Sequence, residues 1–243
     1  MATSALKPVV KLSAETQTLE NLRNYLLSGA VKPGARLTEM SLAEQLGVAR
    51  ATLRASLNRL VTEGIVVLTP YTGWRVAALT EGDAWELWTL RASLEGLAAK
   101  LAAESMSPDR RTRIEQAMAS LVVACGDGDV RSASDADFAL HRTIVESIGH
   151  SRLERQYLQV EQQIRLYIMT SNALVGDLGQ IVSQHEPLVE ALLRADPELA
   201  AREAWIHNET EGRKLANWLH EQETDRFRAP VKRAMKPKGR HMA

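Results

Sequence analysis

Residues 41–76, "SLAEQLGVARATLRASLNRLVTEGIVVLTPYTGWRV", change rhythm halfway along. Leu42, Leu46, Val48, Leu53, Leu57 and Leu60 recur at helical spacing, interrupted at Gly47-Val48-Ala49, and so predict two short helices joined by a tight turn. Ser41 can cap the first helix, which runs through Gly47, with Glu44 at the capping-box position three residues later. Thr52 to Glu63 form the second. After Gly64 the pattern becomes β-type, and Ile65 to Thr69 and Trp74 to Leu79 predict two short strands around Pro70-Tyr71-Thr72-Gly73. Arg50, just before the second helix, and Arg54 and Arg59 along it fall outside the apolar face.

Working outward, Thr16 to Gly29 read as a preceding helix with Leu19, Leu22, Leu26 and Leu27 on one face, and Lys32-Pro33-Gly34 turns the chain. Residues 1–14 are expected to be a flexible N-terminus and 15–79 one domain. From Thr80 the strand signals stop. Thr80, Pro108, Asp129, His150 with Ser151, Asp177 and Asp196-Pro197 then punctuate six helical segments. Asp196, Pro197 and Glu198 supply N-cap, first-position proline and first-turn acid in order. Residues 80–220 thus predict an all-α six-helix bundle. The stretch 221–243 is basic, holds two prolines and lacks apolar periodicity, which predicts a disordered tail. The fold class is mostly α: an N-terminal winged helix-turn-helix of three helices plus a small β-wing, followed by the bundle.

Composition narrows the function. The chain has 243 residues and zero formal net charge, but Lys plus Arg against Asp plus Glu is 9 to 5 in residues 1–79, 14 to 22 in 80–220 and 7 to 3 beyond. Neutrality is a sum of opposites. A positive surface attracts phosphate and a negative one repels it, so the front and middle of the chain suit different partners. No stretch approaches the roughly 18 uncharged apolar residues of a membrane span, and residues 1–12 lack the apolar segment of a secretory signal. A cytoplasmic protein with no membrane partner is expected. The single cysteine, Cys125, excludes an internal disulfide and a thiolate metal cluster, leaving His and carboxylates as metal ligands.

Two helices joined by a tight turn can set the second into the DNA major groove. The planar fork of arginine meets guanine O6 and N7 together, and Thr52 can reach a base edge or a phosphate. The alternative is that Arg50, Arg54 and Arg59 are a solvated face; the buried leucines, which turn them outward at the DNA-facing turns, weigh against it. The segment "LLSGAVKPGARLTEMSLAEQLGVARATLRASLNRLVTEGIVVLTPYTGWRV" resembles the winged helix-turn-helix of GntR-type transcriptional regulators. The matching features are Pro33-Gly34 before a short strand at Arg36 to Thr38, Leu42-Ala43-Glu44, Gly47-Val48 with Arg50, Leu53-Arg54, Leu60, Glu63-Gly64 and the wing glycine Gly73. The resemblance implies that Arg50, Arg54 and the wing tip touch double-stranded DNA. Ala49 and Ala51 depart from it, standing where relatives commonly have hydroxyl residues, so operator preference does not transfer.

In the second domain, Asp137 and His141 are four residues apart in "DFALH" and share a helix face, while His185 and His207 come from two later helices. Four such groups can converge inside a bundle, and oxygen and imidazole ligands suit a divalent metal ion: Zn, Ni, Mn or Fe. Each histidine alone reads more readily as a surface or satisfied core residue than as a metal ligand. Residues 80–220 resemble the FCD ligand-binding domain of the FadR subgroup, in its smaller VanR-like variant, and "DFALH", "QHEPLVEALL" and "EAWIHNE" fill the places of that domain's metal ligands. Leu140 departs from the phenylalanine more common there. The resemblance implies metal binding by Asp137, His141, His185 and His207, leaving two coordination positions for a small carboxylate effector. Arg91 matches a cavity-facing arginine of that domain, and Arg165 can supply a second cation; each can instead pair at helical spacing, with Glu95 or Glu161. Trp85, Trp88, Trp205 and Trp218 are expected as core or dimer-interface anchors, while His150 and His220 have no assigned role.

The expected function is that of a ligand-responsive regulator, a repressor, binding a palindromic operator as a homodimer with its two recognition helices about 34 Å apart. A metal-dependent enzyme is the competing class, but the sequence places no general base beside the ligands and holds no His-Glu-x-x-His motif. A purely structural metal is the third reading.

Overall fold

Ser13 accepts a hydrogen bond from the Thr16 amide at 3.0 Å and so starts α1 (Ala14–Leu27) in the computed structural model of the chain, which describes residues 13–234 and side chains through residue 224. Then follow β1 (Arg36–Leu37), α2 (Glu39–Leu46), α3 (Arg50–Thr62), β2 (Val66–Thr69) and β3 (Gly73–Val76). The three strands form one antiparallel sheet in the order β1-β3-β2, with Leu37 and Leu68 both opposite Trp74. Gly47 sits at φ +64° and caps α2, its amide reaching Ala43 and Glu44 carbonyls; that left-handed residue makes the tight turn into α3. One capping expectation fails. Helix α2 begins at Glu39, with Thr38 at the cap position, and Ser41 lies inside the first turn, accepting from Gln45 Nε2 at 2.8 Å.

Leu53, Leu57 and Leu60 of α3 are fully buried, and α3 packs on α1, whose Leu19, Leu22 and Leu26 are buried too, and on β2. Burying each such leucine stabilises by about 1.5–3 kcal/mol, whereas exposed ion pairs contribute about 0–1 kcal/mol. The leucines therefore seat α3; the bidentate Arg23–Glu63 pair, at 2.8 and 2.7 Å, fixes how α1 meets its end.

The chain divides into two compact units between Ala78 and Leu79. The second unit contains α4 (Glu81–Glu104), α5 (Pro108–Gly126), α6 (Val130–Ser147), α7 (Ser151–Asn172), α8 (Gly179–Leu193) and α9 (Pro197–Ala234). Thr80 and Asp83 form a full capping box, Ser107 caps ahead of Pro108, and Asp129, His150 and Asp196 each accept from an amide three residues on. His150 thus has a role that its sequence position left unassigned. Helices α4 and α9 run antiparallel, with Glu81 beside His220 and Lys100 beside Glu198. Their close approach rests on small residues: Ala84, Ala92, Ala98, Ala99, Ala200 and Ala204 are buried, and a Cβ on Gly212 would fall 2.2 Å from Trp88. Trp88 is core and Trp218 partly buried, but Trp85 and Trp205 are exposed. Helix α9 runs past His220 to Ala234, into the stretch expected as a tail; Glu221, Gln222 and Glu223 are good helix formers that extend it beyond His220. Residues 1–12 and 235–243 lie outside the described residues. No described helix is long and apolar enough to cross a membrane.

Candidate functional site

Helix α6 carries Asp137 and His141 on one face, as their spacing requires, and the bundle brings His185 of α8 and His207 of α9 against them. The three histidines offer nitrogens within 4.8 Å of one another. Asp137 Oδ1 is 3.4 Å from His141 Nε2 and 3.2 Å from His185 Nε2, and the two Nε2 atoms are 3.1 Å apart. All four residues are buried.

Surrounding groups aim these ligands. His185 Nδ1 donates to the Ile181 carbonyl at 2.7 Å, which turns its Nε2 lone pair to the centre. Asn172 Nδ2 donates to Asp137 Oδ2 at 2.9 Å and leaves Oδ1 free. Glu95 Oε2 lies 3.0 Å from His141 Nδ1, and Glu95 also accepts from Tyr157, Asn208 and Arg91 at 3.1, 2.9 and 3.1 Å. Burial opposes charge on His141, yet the Glu95 and Asp137 carboxylates push its pKa up to about 9. Burial alone would raise the Asp137 carboxyl, but His185 and His141 hold it well below the carboxylate range. His207 stays neutral through burial and its two histidine neighbours. Asp137 Oδ1 and His207 Nδ1 have no hydrogen-bond partner, so the donor set fits a divalent metal that would draw on these side chains.

Beside this centre is a cavity of about 10 Å³ lined by Arg91, Tyr167, Ser171, Gln184 and Glu211 among others, and a second of about 140 Å³ shares Gln184, His207 and Glu211 with it. Tyr167 Oη is buried there without a partner. Of the two expected effector cations, Arg91 lines the small cavity while also pairing with Glu95. Arg165 is not brought there: its guanidinium pairs with Asp135 at 2.9 Å over the Phe138 ring, and Glu161 pairs with Arg142 instead. Glu95, Asn172, Tyr167 and Asn208 carry no sequence signal of their own, apart from the Arg91–Glu95 spacing.

In the first unit, Arg50 and Arg54 are exposed one turn apart at the start of α3, with Thr52 half-buried between them. Arg59 is exposed but sits about 140° round from Arg54 at 3.6 residues per turn, near the helix C-terminus, where a cation suits the helix dipole. It does not join the other two. Gly73, at φ +87°, pairs with Thr69 as the hairpin closes, and Tyr71 is fully exposed at the tip.

A recognition helix beside a β-wing, ahead of a helical bundle with a buried histidine centre, defines a two-unit regulator, and the comparisons agree. Residues 15–76 match the bacterial regulatory proteins of the gntR family and residues 86–210 match the FCD domain. The chain belongs to the GntR family with an FCD domain, and is a DNA-binding transcriptional regulator rather than an enzyme. It is 27% identical to a probable D-xylose utilization operon transcriptional repressor of Paenarthrobacter nicotinovorans, over 80% of this chain and 85% of the relative. It is 25% identical to the gluconate operon transcriptional repressor of Bacillus licheniformis, over 83% and 85%. The solved structure of E. coli McbR/YncC shares the fold at a TM-score of 0.72 and 23% identity, over 86% of this chain and 99% of that one.

Proposed function

We propose that this regulator is a cytoplasmic repressor that binds a palindromic operator as a homodimer and changes its operator affinity when a small organic acid occupies the second unit. The observation that carries the reading is the buried convergence of Asp137, His141, His185 and His207 beside Arg91. These four residues would hold a divalent ion, and Arg91 would orient a carboxylate. The ion, when bound, supplies a Lewis-acid charge with open positions for carboxylate oxygens. The two relatives named as repressors support repression over activation. A ligand shifts an equilibrium only by its differential affinity for the two states, so the response must vanish when the ion's holders are removed. In gel-shift titrations with candidate acids, His185→Ala is expected to bind operator as the native protein does and to ignore the acid. A full response in that variant would sink the effector reading.

The cavity beside the centre, about 10 Å³, is too small for an organic acid, which favours a second reading in which the metal only braces the bundle. The effector reading needs the adjoining 140 Å³ space to open into it. Chelation separates the two: a bracing metal predicts unfolding of the second unit, an effector metal predicts a folded protein that no longer responds.

A further inference from the structure

Glu39 is the first residue of α2, and its carboxylate joins three parts of the DNA-binding unit. Oε2 accepts from Arg54 Nε of α3 at 2.7 Å, and Oε1 accepts from Trp74 Nε1 of β3 at 2.7 Å. The Glu39 side chain is only 23% exposed, while that of Arg54 is 61% exposed. The Trp74 indole, against the opposing cost of burial, and the Arg54 guanidinium hold the Glu39 carboxyl below its ordinary range, so the carboxylate persists at neutral pH. A start-of-helix position, where the dipole favours negative charge, acts the same way.

The chemistry lies in which nitrogen Glu39 takes. Arginine has a side-on fork, Nε with Nη2, and an end-on fork, Nη1 with Nη2. Arg23 in the same unit gives its side-on fork to Glu63, Nε and Nη2 both bonded, as a structural pair. Arg54 gives Glu39 its Nε alone, not the fork of Nε with Nη2. A contact at Nε restrains the guanidinium without using its end-on fork, and the Arg54 side chain is 61% exposed.

We propose that Glu39 is a positioning residue for base readout: it holds Arg54 by Nε so that the end-on fork meets a guanine edge, and it ties that fork to the wing through Trp74. This rests on the reading that α3 enters the major groove and that Arg54 touches a base. Glu39→Gln separates the links, because the amide oxygen can still accept from Trp74 while the amide nitrogen cannot accept from Arg54. Trp74→Phe removes the wing link and keeps the ring.

The test uses the full chain and a duplex that it selects from a random pool. Each guanine is replaced in turn by 7-deazaguanine, which lacks N7, and affinities are measured by fluorescence anisotropy at one salt concentration. In the native protein, the guanine read by Arg54 is expected to cost at least about five-fold when replaced, the lower end for a bidentate pair. In Arg54→Ala that cost disappears. In Glu39→Gln it falls below about two-fold, while the costs at other guanines persist and thermal unfolding is unchanged; Trp74→Phe gives an intermediate loss at the same base. If Arg54→Ala retains every guanine cost, the base-contact reading fails, and this proposal with it. If Arg54→Ala loses one cost but Glu39→Gln keeps it, or weakens all duplexes alike, the positioning role alone is overturned. Tighter binding of every duplex by Glu39→Gln also overturns it, since Glu39 would then compete with DNA for Arg54.

Discussion

Arg54 and Arg91 carry the same guanidinium and each pairs with a glutamate, yet the side chain of Arg54 is 61% exposed and that of Arg91 3%. Water screens the first pair and leaves terminal nitrogens free for another anion. The second has lost its water, so Glu95, Tyr157, Asn208 and His141 must supply what solvent no longer can. The same residue type thus presents donors to solvent in one unit and an obligatory internal counter-charge in the other. The difference is made by burial rather than by charge, because desolvating an ion costs several kcal/mol unless its partners are all in place.

The contrast is most directly broken by removing one glutamate. Glu95→Ala leaves Arg91 buried and uncompensated and is expected to cost about 3–5 kcal/mol in urea unfolding of the second unit. A loss within about 0.5 kcal/mol, the range for exposed sites, would place Arg91 in solvent after all. Next in size, Gly212→Ala drives a methyl into Trp88, and overpacking of this kind costs about 1–3 kcal/mol by the same measurement. Unchanged stability would mean that α4 and α9 yield easily.

The buried centre also has a pH signature that the exposed arginines lack. His141 is raised from 6.5 to about 9, so its proton stabilises the metal-free fold fully below pH 6.5, and this contribution is lost as pH rises through about 9. His207, depressed, is neutral in both states over that window. Metal must displace the same proton, so metal affinity is expected to rise by about tenfold per pH unit between those values while metal-free stability falls. Calorimetry in buffers of different ionisation enthalpy reads the released proton; a pH-independent affinity would remove it from His141. The smallest effect belongs to the surface: Arg54→Ala is expected to change unfolding stability by less than about 0.5 kcal/mol, leaving its consequence to DNA binding alone.

Local signals carried most of the architecture. Leucine spacing and Gly47 mark α2, the turn and α3, because a helix face and a left-handed turn residue are both properties of a few neighbouring residues. Thr80, Asp129 and Asp196 mark helix starts for the same reason. The start of α2 was less legible: Ser41 has the composition of a cap, but Glu39 is drawn into the helix by partners on α3 and β3, and those are remote in sequence. Asp137 and His141 were readable as one helix face, whereas their meeting with His185 and His207 depends on how α8 and α9 pack. Arg165 shows the limit, since a cation on the right helix turned to Asp135 instead of the cavity.

By itself, then, the sequence determined where helices and strands begin and which side chains are apolar, and through motif spacing it pointed to a DNA reader and a histidine centre. Only the tertiary structure decided which charges lose their water: that Glu95 sits behind His141, that Tyr167 is left without a partner, and that Glu39 spans Arg54 of α3 and Trp74 of β3. Burial is a property of the assembled fold, and the strength and role of every charge in this protein follow from it.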